Sequence, residues 1–536
     1  MDTKEISNFF IRKGILLDNE ILDLFTVLKD QDSIKFILEK ITEKTNQKII
    51  TREIFFKNRE TIRNLLSELP NENKEKIEQL KIKLGLRIEI SRSEKIVSKE
   101  PGESKIEEGQ KEIDDSNSGV KVFSLPTMLN NKIVVKDFVT HFSNRFLDTR
   151  DFLKESPKLK NLVSINKLSY SRQNVSIIGM IYSKQTTKNN NLILEVEDLT
   201  GSIRVLINQN KPELYKEACE ISLDSIVGFK GSGNNEVLFA NELVFPEARN
   251  PERKKSPMDE SAVFISDLHI GSKLFLEKNF LRFIDYLNGK LPNTSDFSKV
   301  KYVFVIGDIV AGVGVYPNQE KDLEVKDIEG QYSKAAEIFG KIRKDITLIM
   351  IPGNHDCVRL MEPQPVLDEK YAWPLYGLEN AVFATNPSTI NVGSTKEFSG
   401  FDVLAYHGFS YPYYANTIPS LISKDAINDP IKIMEYLLKN RHLAPAHASV
   451  QYSPAEKDTL LIRKAPDIFV SGHMHKSGIS YFNNVLVVSN SCWEDLTPFQ
   501  EKMGNKPDFC KVPMFNFKTR QVKILDFYDG DKGEEK

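Results

Sequence analysis

Seven side chains in this sequence share a setting: each sits at or just past the end of a short apolar run, and each can bind a metal ion. They occur in five phrases, AVFISDLHIGS (262–272), YVFVIGDIVAG (302–312), TLIMIPGNHD (347–356), VLAYHG (403–408) and DIFVSGHMH (467–475). The seven are Asp267, His269, Asp308, Asn354, His407, His473 and His475. Carboxylate, imidazole and amide donors without a thiolate suit manganese, iron or zinc. Seven donors exceed the three or four protein ligands of one catalytic ion. They fit two ions sharing a carboxylate, an arrangement that serves phosphoester cleavage.

The elements that must position these groups are strands. Each apolar run is short, β-branched and bounded by Gly or Pro, the pattern of a strand buried on both faces. The polar residue falls at the carboxyl end, where ligands bind in open α/β sheets. Asp267 and His269 are two apart, as are His473 and His475, so in an extended segment each pair points the same way. Gly307 beside Asp308 allows close approach. Asn354 and His355 are adjacent and must point apart, one toward a metal and one toward a substrate.

Length and composition bound the remainder. A chain of 536 residues holds two to four domains. With 40% hydrophobic and 28% charged residues, it has the composition of a globular protein. A net charge of −2 excludes a protein that grips nucleic acid by bulk charge, so any DNA contact is local or shared with a partner. Cys219, Cys357, Cys492 and Cys510 have no C-x-x-C spacing, which argues against structural zinc or a disulfide framework. No signal peptide is legible at the start and no apolar run approaches membrane length, so the expectation is a cytoplasmic, nucleoid-associated protein with no membrane contact.

In chain order, residues 1–91 carry helical spacing, as in Ile34, Ile37, Leu38 and Ile41, and predict a small helical domain. Residues 92–122 are charged and poor in large apolar side chains, which predicts a flexible linker. Residues 123–171 form a helical connector in which Phe138, Phe142, Phe146 and Phe152 supply packing. Residues 172–250 read as five strands with a helical insert, KPELYKEAC, after the third, the order of an OB-fold. Few aromatics lie on those strands, so a docking module is at least as good a reading as a DNA-binding one. Residues 259–530 hold the five phrases. His141, His442 and His447 stand outside them and read as structural, and Trp493 reads as packing beneath the site.

The phrases D-x-H, G-D, G-N-H-D, H-G and G-H-x-H, in this order, resemble the calcineurin-like metallophosphoesterases. The succession of helical domain, OB-like barrel and phosphoesterase domain resembles the small subunits of archaeal family D DNA polymerases. Its last two parts are similar to the B subunits of eukaryotic replicative polymerases. GDIVAGVGVYPNQE (307–320), PGNHDCVRLMEPQP (352–365) and SNSCWEDLTPFQ (489–500) are similar to that family's local text. The resemblance implies an α+β multidomain protein: an N-terminal helical domain, an OB-fold barrel and a calcineurin-like α/β sandwich. It implies that Asp267, His269 and His475 hold one divalent ion, that Asn354, His407 and His473 hold a second, and that Asp308 bridges them. Manganese is expected first, with iron, zinc or magnesium as alternatives. His355 is the residue implied to protonate or stabilise the departing 3′ oxygen. The implied activity is a proofreading 3′–5′ exonuclease acting on DNA with a 3′ terminus, in a heterodimer with a large catalytic polymerase subunit. Two other readings stand beside it: a non-catalytic scaffold, against which the full ligand set counts, and a free-standing phosphodiesterase or repair nuclease. The G-D-x-x-D-R-G of protein phosphatases is replaced here by GDIVAGVG. One departure from the polymerase family's text is HGFSYPYYAN, which puts Phe409 and Tyr411 where polar contacts are expected.

Overall fold

Each of the five apolar runs is a buried strand, and their neighbours explain why. In the computed structural model, described over residues 111–115, 119–124, 132–292 and 294–529 and the dipeptides Leu16–Leu17 and Ile49–Ile50, the chain divides into two compact units. One comprises Met1–Ile106 with Glu369–Gly377 and contains two short strands, β1 (Leu16–Leu17) and β2 (Ile49–Ile50), paired in parallel. The expected helical domain over 1–91 and most of the expected linker lie outside the described residues.

The other unit, Glu107–Asp368 with Leu378–Lys536, holds the site. Its chain opens with β3 (Lys111–Asp115) and β4 (Val120–Ser124), then helix α1 (Val135–Lys154). Strands β5 (Gln173–Thr186), β6 (Leu192–Asp198), β7 (Gly201–Ile207), β8 (Ile226–Gly233) and β9 (Val237–Val244) follow. They close a barrel in the order β5-β6-β7-β9-β8, with helix α2 (Pro212–Cys219) between the third and fourth strands. Alternation fills it: Leu192, Leu194 and Val196 of β6 point inward, while Ile193, Glu195 and Glu197 alternate outward.

Two further sheets form a sandwich. The first runs β13-β12-β11-β10-β19-β20, comprising β10 (Ser261–Ile265), β11 (Val300–Ile306), β12 (Thr347–Ile351), β13 (Ala381–Phe383), β19 (Lys511–Asn516) and β20 (Val522–Asp526). The second runs β17-β18-β16-β15-β14-β4-β3, with β14 (Ser388–Val392), β15 (Phe401–Tyr406), β16 (Ile468–Ser471), β17 (Gly478–Phe482) and β18 (Val485–Ser489). Strands β10, β11 and β12 are parallel neighbours in the first sheet, and β15 and β16 are parallel neighbours in the second. Facing side chains such as Phe264, Phe304, Ile349, Val403, Val470 and Val488 make the core between them. Helix α3 (Glu277–Leu287) sets Phe280 and Phe283 against the fully buried Trp493, and helix α4 (Ile328–Phe339) adds Phe339.

The linker expectation needs correction at its carboxyl end. Residues 120–122 are not a solvated tether: β4 pairs antiparallel with β14, and Val120 and Val122 are 0% and 1% exposed in the core between the sheets. Two alternating valines suffice to join a sheet, and a composition averaged over thirty residues hides them. Strand β3 then pairs antiparallel with β4. In α1, Phe138, Phe142 and Phe146 pack inward, and the Arg441 guanidinium lies 3.7 Å from the Phe152 ring centre. The barrel and the sandwich share one compact unit rather than standing as separate bodies.

Candidate metal centre

The sandwich brings the carboxyl ends of β10, β11 and β12 against those of β15 and β16. The tips are zipped together by main-chain bonds: Leu268 N–H and His269 N–H donate to the Asp308 carbonyl at 2.8 and 3.1 Å, and Gly472 N–H donates to the His407 carbonyl at 3.0 Å. Asp267 joins the two sheets, its carboxylate accepting from His473 N–H at 2.9 Å. Trp493, packed against Phe280 and Phe283, donates its main-chain N–H to the Asp267 carbonyl at 2.9 Å.

All seven sequence-predicted donors come together. Donor atoms of Asp267, His269 and His475 lie within 4.8 Å of one another, and so do those of Asp308, His407 and His473. Asn354 joins the second group, its Oδ1 being 3.0 Å from His407 Nε2. His355 also stands within 4.8 Å of His269 and Asp308 by its donor atoms, although the sequence reading placed it apart from the ligands.

The local backbone differs from the extended pairing expected from i, i+2 spacing. The strands stop at Ile265 and Ser471, before the paired residues. Asp267, His269, Asp308, His473 and His475 are all left-handed, with φ between +51° and +68°. An L-residue there carries strain that the surroundings must hold, a condition concentrated at functional sites. The kinks, rather than strand pleating, turn the side chains inward. Gly307, at φ +80°, makes room for an imidazole: a Cβ there would lie 2.5 Å from His407 Nδ1.

Hydrogen bonding shows which atoms remain free. His407 Nδ1–H donates to the Ile306 carbonyl at 2.8 Å, which turns its Nε2 toward Asn354 Oδ1 and, at 3.3 Å, Asp308 Oδ2. Two oxygen acceptors converge on that nitrogen. His269 and His475 meet Nε2 to Nε2 at 3.3 Å, and His269 Nδ1 is buried without a partner. Buried carboxylates and ring nitrogens gathered this closely call for positive charge among them, carried by imidazolium protons in the metal-free chain or by bound cations. The charge balance agrees. Burial pushes the Asp308 carboxyl up, but His407, His355 and His269 outweigh it and hold it well below the usual carboxylate range. Burial also pushes His407 down, and the Asp308 and Asp267 carboxylates override it, raising it to about 9. His473, buried and beside the His407 charge, is depressed to about 3. The donor set and its geometry therefore fit two divalent cations.

Several supporting residues were not legible beforehand. Asn386 Oδ1 accepts from His407 N–H at 2.9 Å, and its amide donates to Gln364 Oε1 at 2.6 Å; Gln364 in turn donates to the Gly353 carbonyl at 3.2 Å. Both amides are buried, and the flanking prolines of P-Q-P were the one hint. Gln500 Nε2 lies 2.8 Å from His475 Nδ1, and Ser266 Oγ–H donates to Asp267. Asp356 caps turns: it accepts from Gly353, Ile309 and Val310 N–H, and burial with Asp308 nearby raises its carboxyl to about 7. Phe409 presents its ring edge-on to His473 at 5.5 Å between centres, while Tyr411 is fully buried. His141 and His442 are bonded away from this site.

The sequence model of the calcineurin-like phosphoesterases matches residues 261–477, so the chain carries a domain of that class over the strands that bring the donors together. Similarity extends further along the chain. The DNA polymerase II small subunit of Methanothermobacter thermautotrophicus is 36% identical over 73% of this chain and 80% of its own length. Those of Pyrococcus furiosus and Methanocaldococcus jannaschii are 36% and 34% identical over 74% and 71% of this chain, and in each case 64% of the relative is covered. The chain belongs to the DNA polymerase II small-subunit family.

Proposed function

We propose that this chain is the small subunit of a heterodimeric replicative DNA polymerase and that its phosphoesterase site is a proofreading 3′–5′ exonuclease releasing 5′-mononucleotides. The observation that carries this reading is the convergence of seven metal-ligating side chains at the joint of two sheets. Asp267, His269 and His475 would hold one divalent ion, manganese foremost; Asn354, His407 and His473 would hold the other, with Asp308 shared. Bound there, the ions supply Lewis-acid charge neutralisation on the phosphate and lower the pKa of water.

The chain's own residues do the rest. Asp308, anchored by His355 N–H at 2.7 Å, keeps the two donor groups in register. His355 Nδ1–H is committed to the Ala311 carbonyl at 2.9 Å, which leaves Nε2 as the atom that moves a proton at the departing 3′ oxygen. A frayed terminus reaches the site at less unpairing cost than a matched one, the basis of proofreading selectivity. The five-stranded barrel, with strand order and helix position of an OB-fold, serves in this reading as a docking module for the large subunit. Its outward Glu195 and Glu197, with Asp224 close enough to raise the Glu197 carboxyl after burial has done so, disfavour a phosphate backbone. No helix of the described residues is long and apolar enough to cross a membrane.

The test is manganese-dependent digestion of a primer with a mismatched 3′ end, by the full chain with and without its large partner. Stepwise release of 5′-mononucleotides from the 3′ end is expected. No digestion by either form, with both ions retained, leaves the scaffold reading.

A further inference from the structure

Two loops beside the metal centre display large apolar side chains to solvent and are held rigidly while doing so. The first, residues 311–316, follows Asp308. Val313, Val315 and Tyr316 in it are 52%, 39% and 44% exposed. Buried Gln319 clamps this loop, accepting from Val315 N–H at 2.9 Å and donating to the Ala311 carbonyl at 2.9 Å. Buried Gln331 clamps it again, accepting from Gly312 N–H at 2.9 Å and donating to the Gly312 carbonyl at 3.1 Å. The loop abuts His355 closely enough that a Cβ on Gly312 would lie 2.4 Å from the His355 carbonyl oxygen.

The second loop leads into helix α5 (Pro498–Met503), which is fixed by a capping box between Thr497 and Gln500. Gln500 reaches His475, and its neighbour Phe499 is 69% exposed. His269 lies between the two loops' contacts, with ring centres 4.6 Å from His355 and 5.2 Å from His475. Glu494, at the base of the second loop, is within electrostatic reach of both His269 and Tyr316. Apolar side chains held by amide hydrogen bonds beside a reaction centre mark a binding surface.

We infer that this rim grips the bases of single-stranded DNA at its 3′ end by stacking, with Phe499 as the principal stacking side chain and the 313–316 loop as the opposing wall. The inference rests on the nuclease reading for its occupant. It supplies a grip that a chain of net charge −2 does not obtain from bulk charge. Stacking accepts every base, as removal of arbitrary terminal nucleotides requires.

The test uses the full chain in EDTA and a single-stranded oligonucleotide with 2-aminopurine as its 3′-terminal base. Binding is expected to quench the fluorophore. Phe499→Ala is expected to weaken binding about ten-fold and abolish the quench, while Phe499→Tyr stays within about two-fold of the wild type. An oligonucleotide with an abasic 3′ end is expected to bind wild type and Phe499→Ala alike. Equal quenching by wild type and Phe499→Ala, or an alanine effect that persists on the abasic end, overturns the stacking role. So does a Phe499→Ala variant that binds DNA normally but loses the large subunit, which assigns the rim to a protein contact. Manganese-dependent digestion measured in parallel separates the two readings. A Phe499-dependent quench without digestion supports the clamp and overturns the nuclease, whereas digestion indifferent to Phe499 overturns the clamp alone.

Discussion

Two buried groups of histidines and carboxylates stand in the same compact unit, built from the same residue types and balanced in opposite ways. Between α1 and residues 441–463, the Asp458 carboxylate accepts from Arg145 Nε–H at 2.5 Å and from His442 Nε2–H at 3.0 Å, with His141 at 3.3 Å. Arg145 also donates to the Pro445 carbonyl at 3.1 Å, and Ala444 N–H donates to His442 Nδ1 at 2.9 Å. A buried carboxylate needs positive charge, and here the chain supplies it as a guanidinium. At the strand tips, Asp267 and Asp308 are buried as deeply, yet among the described residues no lysine or arginine pairs with either. Imidazoles, a serine hydroxyl and main-chain N–H groups face them instead. The first group is complete in itself and ties α1 to the sandwich; the second is shaped for cations from outside. Composition does not separate a structural cluster from a metal centre. The source of the compensating charge does.

Substitutions sharpen this contrast, beginning with the largest expected effect. Asp308→Ala is expected to lower metal content at both positions together and slow primer digestion about a thousand-fold or more; elemental analysis that finds one ion still bound stoichiometrically refutes the shared role. His355→Ala is expected to keep both ions while losing about 10²–10⁴-fold in single-turnover rate, and full activity in it removes the proton-transfer role. Arg145→Met leaves Asp458 buried without its cation. About 3–5 kcal/mol of unfolding free energy is expected to be lost in urea titrations, with metal content unchanged. If the ions leave too, the two groups are not independent.

The smallest effect is a pH dependence. Burial, then the Arg145 charge, depress His442 to about 4, against the attraction of Asp458. The unfolded chain therefore takes up a proton near pH 6.5 that the folded chain refuses. Stability is full above about pH 6.5 and falls by up to ~3 kcal/mol as pH drops toward 4. Asp458, held well below the usual carboxylate range once Arg145 and His442 outweigh its burial, extends the loss to still lower pH. His442→Gln is expected to flatten the upper part of that slope in metal-free protein; an unchanged slope assigns it to other groups.

Much of the site was legible in the chain. The apolar runs before Asp267, Asp308, Asn354, His407 and His473 mark buried strands because a strand between two layers has no polar face to show, and ligands at strand ends follow from that geometry. The five barrel strands and the helix after the third were likewise written in alternation and turn residues. Tertiary structure alone decided the rest. Left-handed φ at Asp267, His269, Asp308, His473 and His475 is a property of where each chain segment must turn; Asp and His tolerate that region better than most residues but do not specify it. Asn386, Gln364 and Gln500 matter only because loops fold back over 11 to 25 residues to bring an amide to an imidazole or a carbonyl. Val120 and Val122 sit in a charged stretch and become core only because β14 offers an edge to pair with. Local physics selects strands and donor types from sequence, whereas partner identity, backbone strain and charge balance are set by contacts outside the local window, from 11 residues apart to 206.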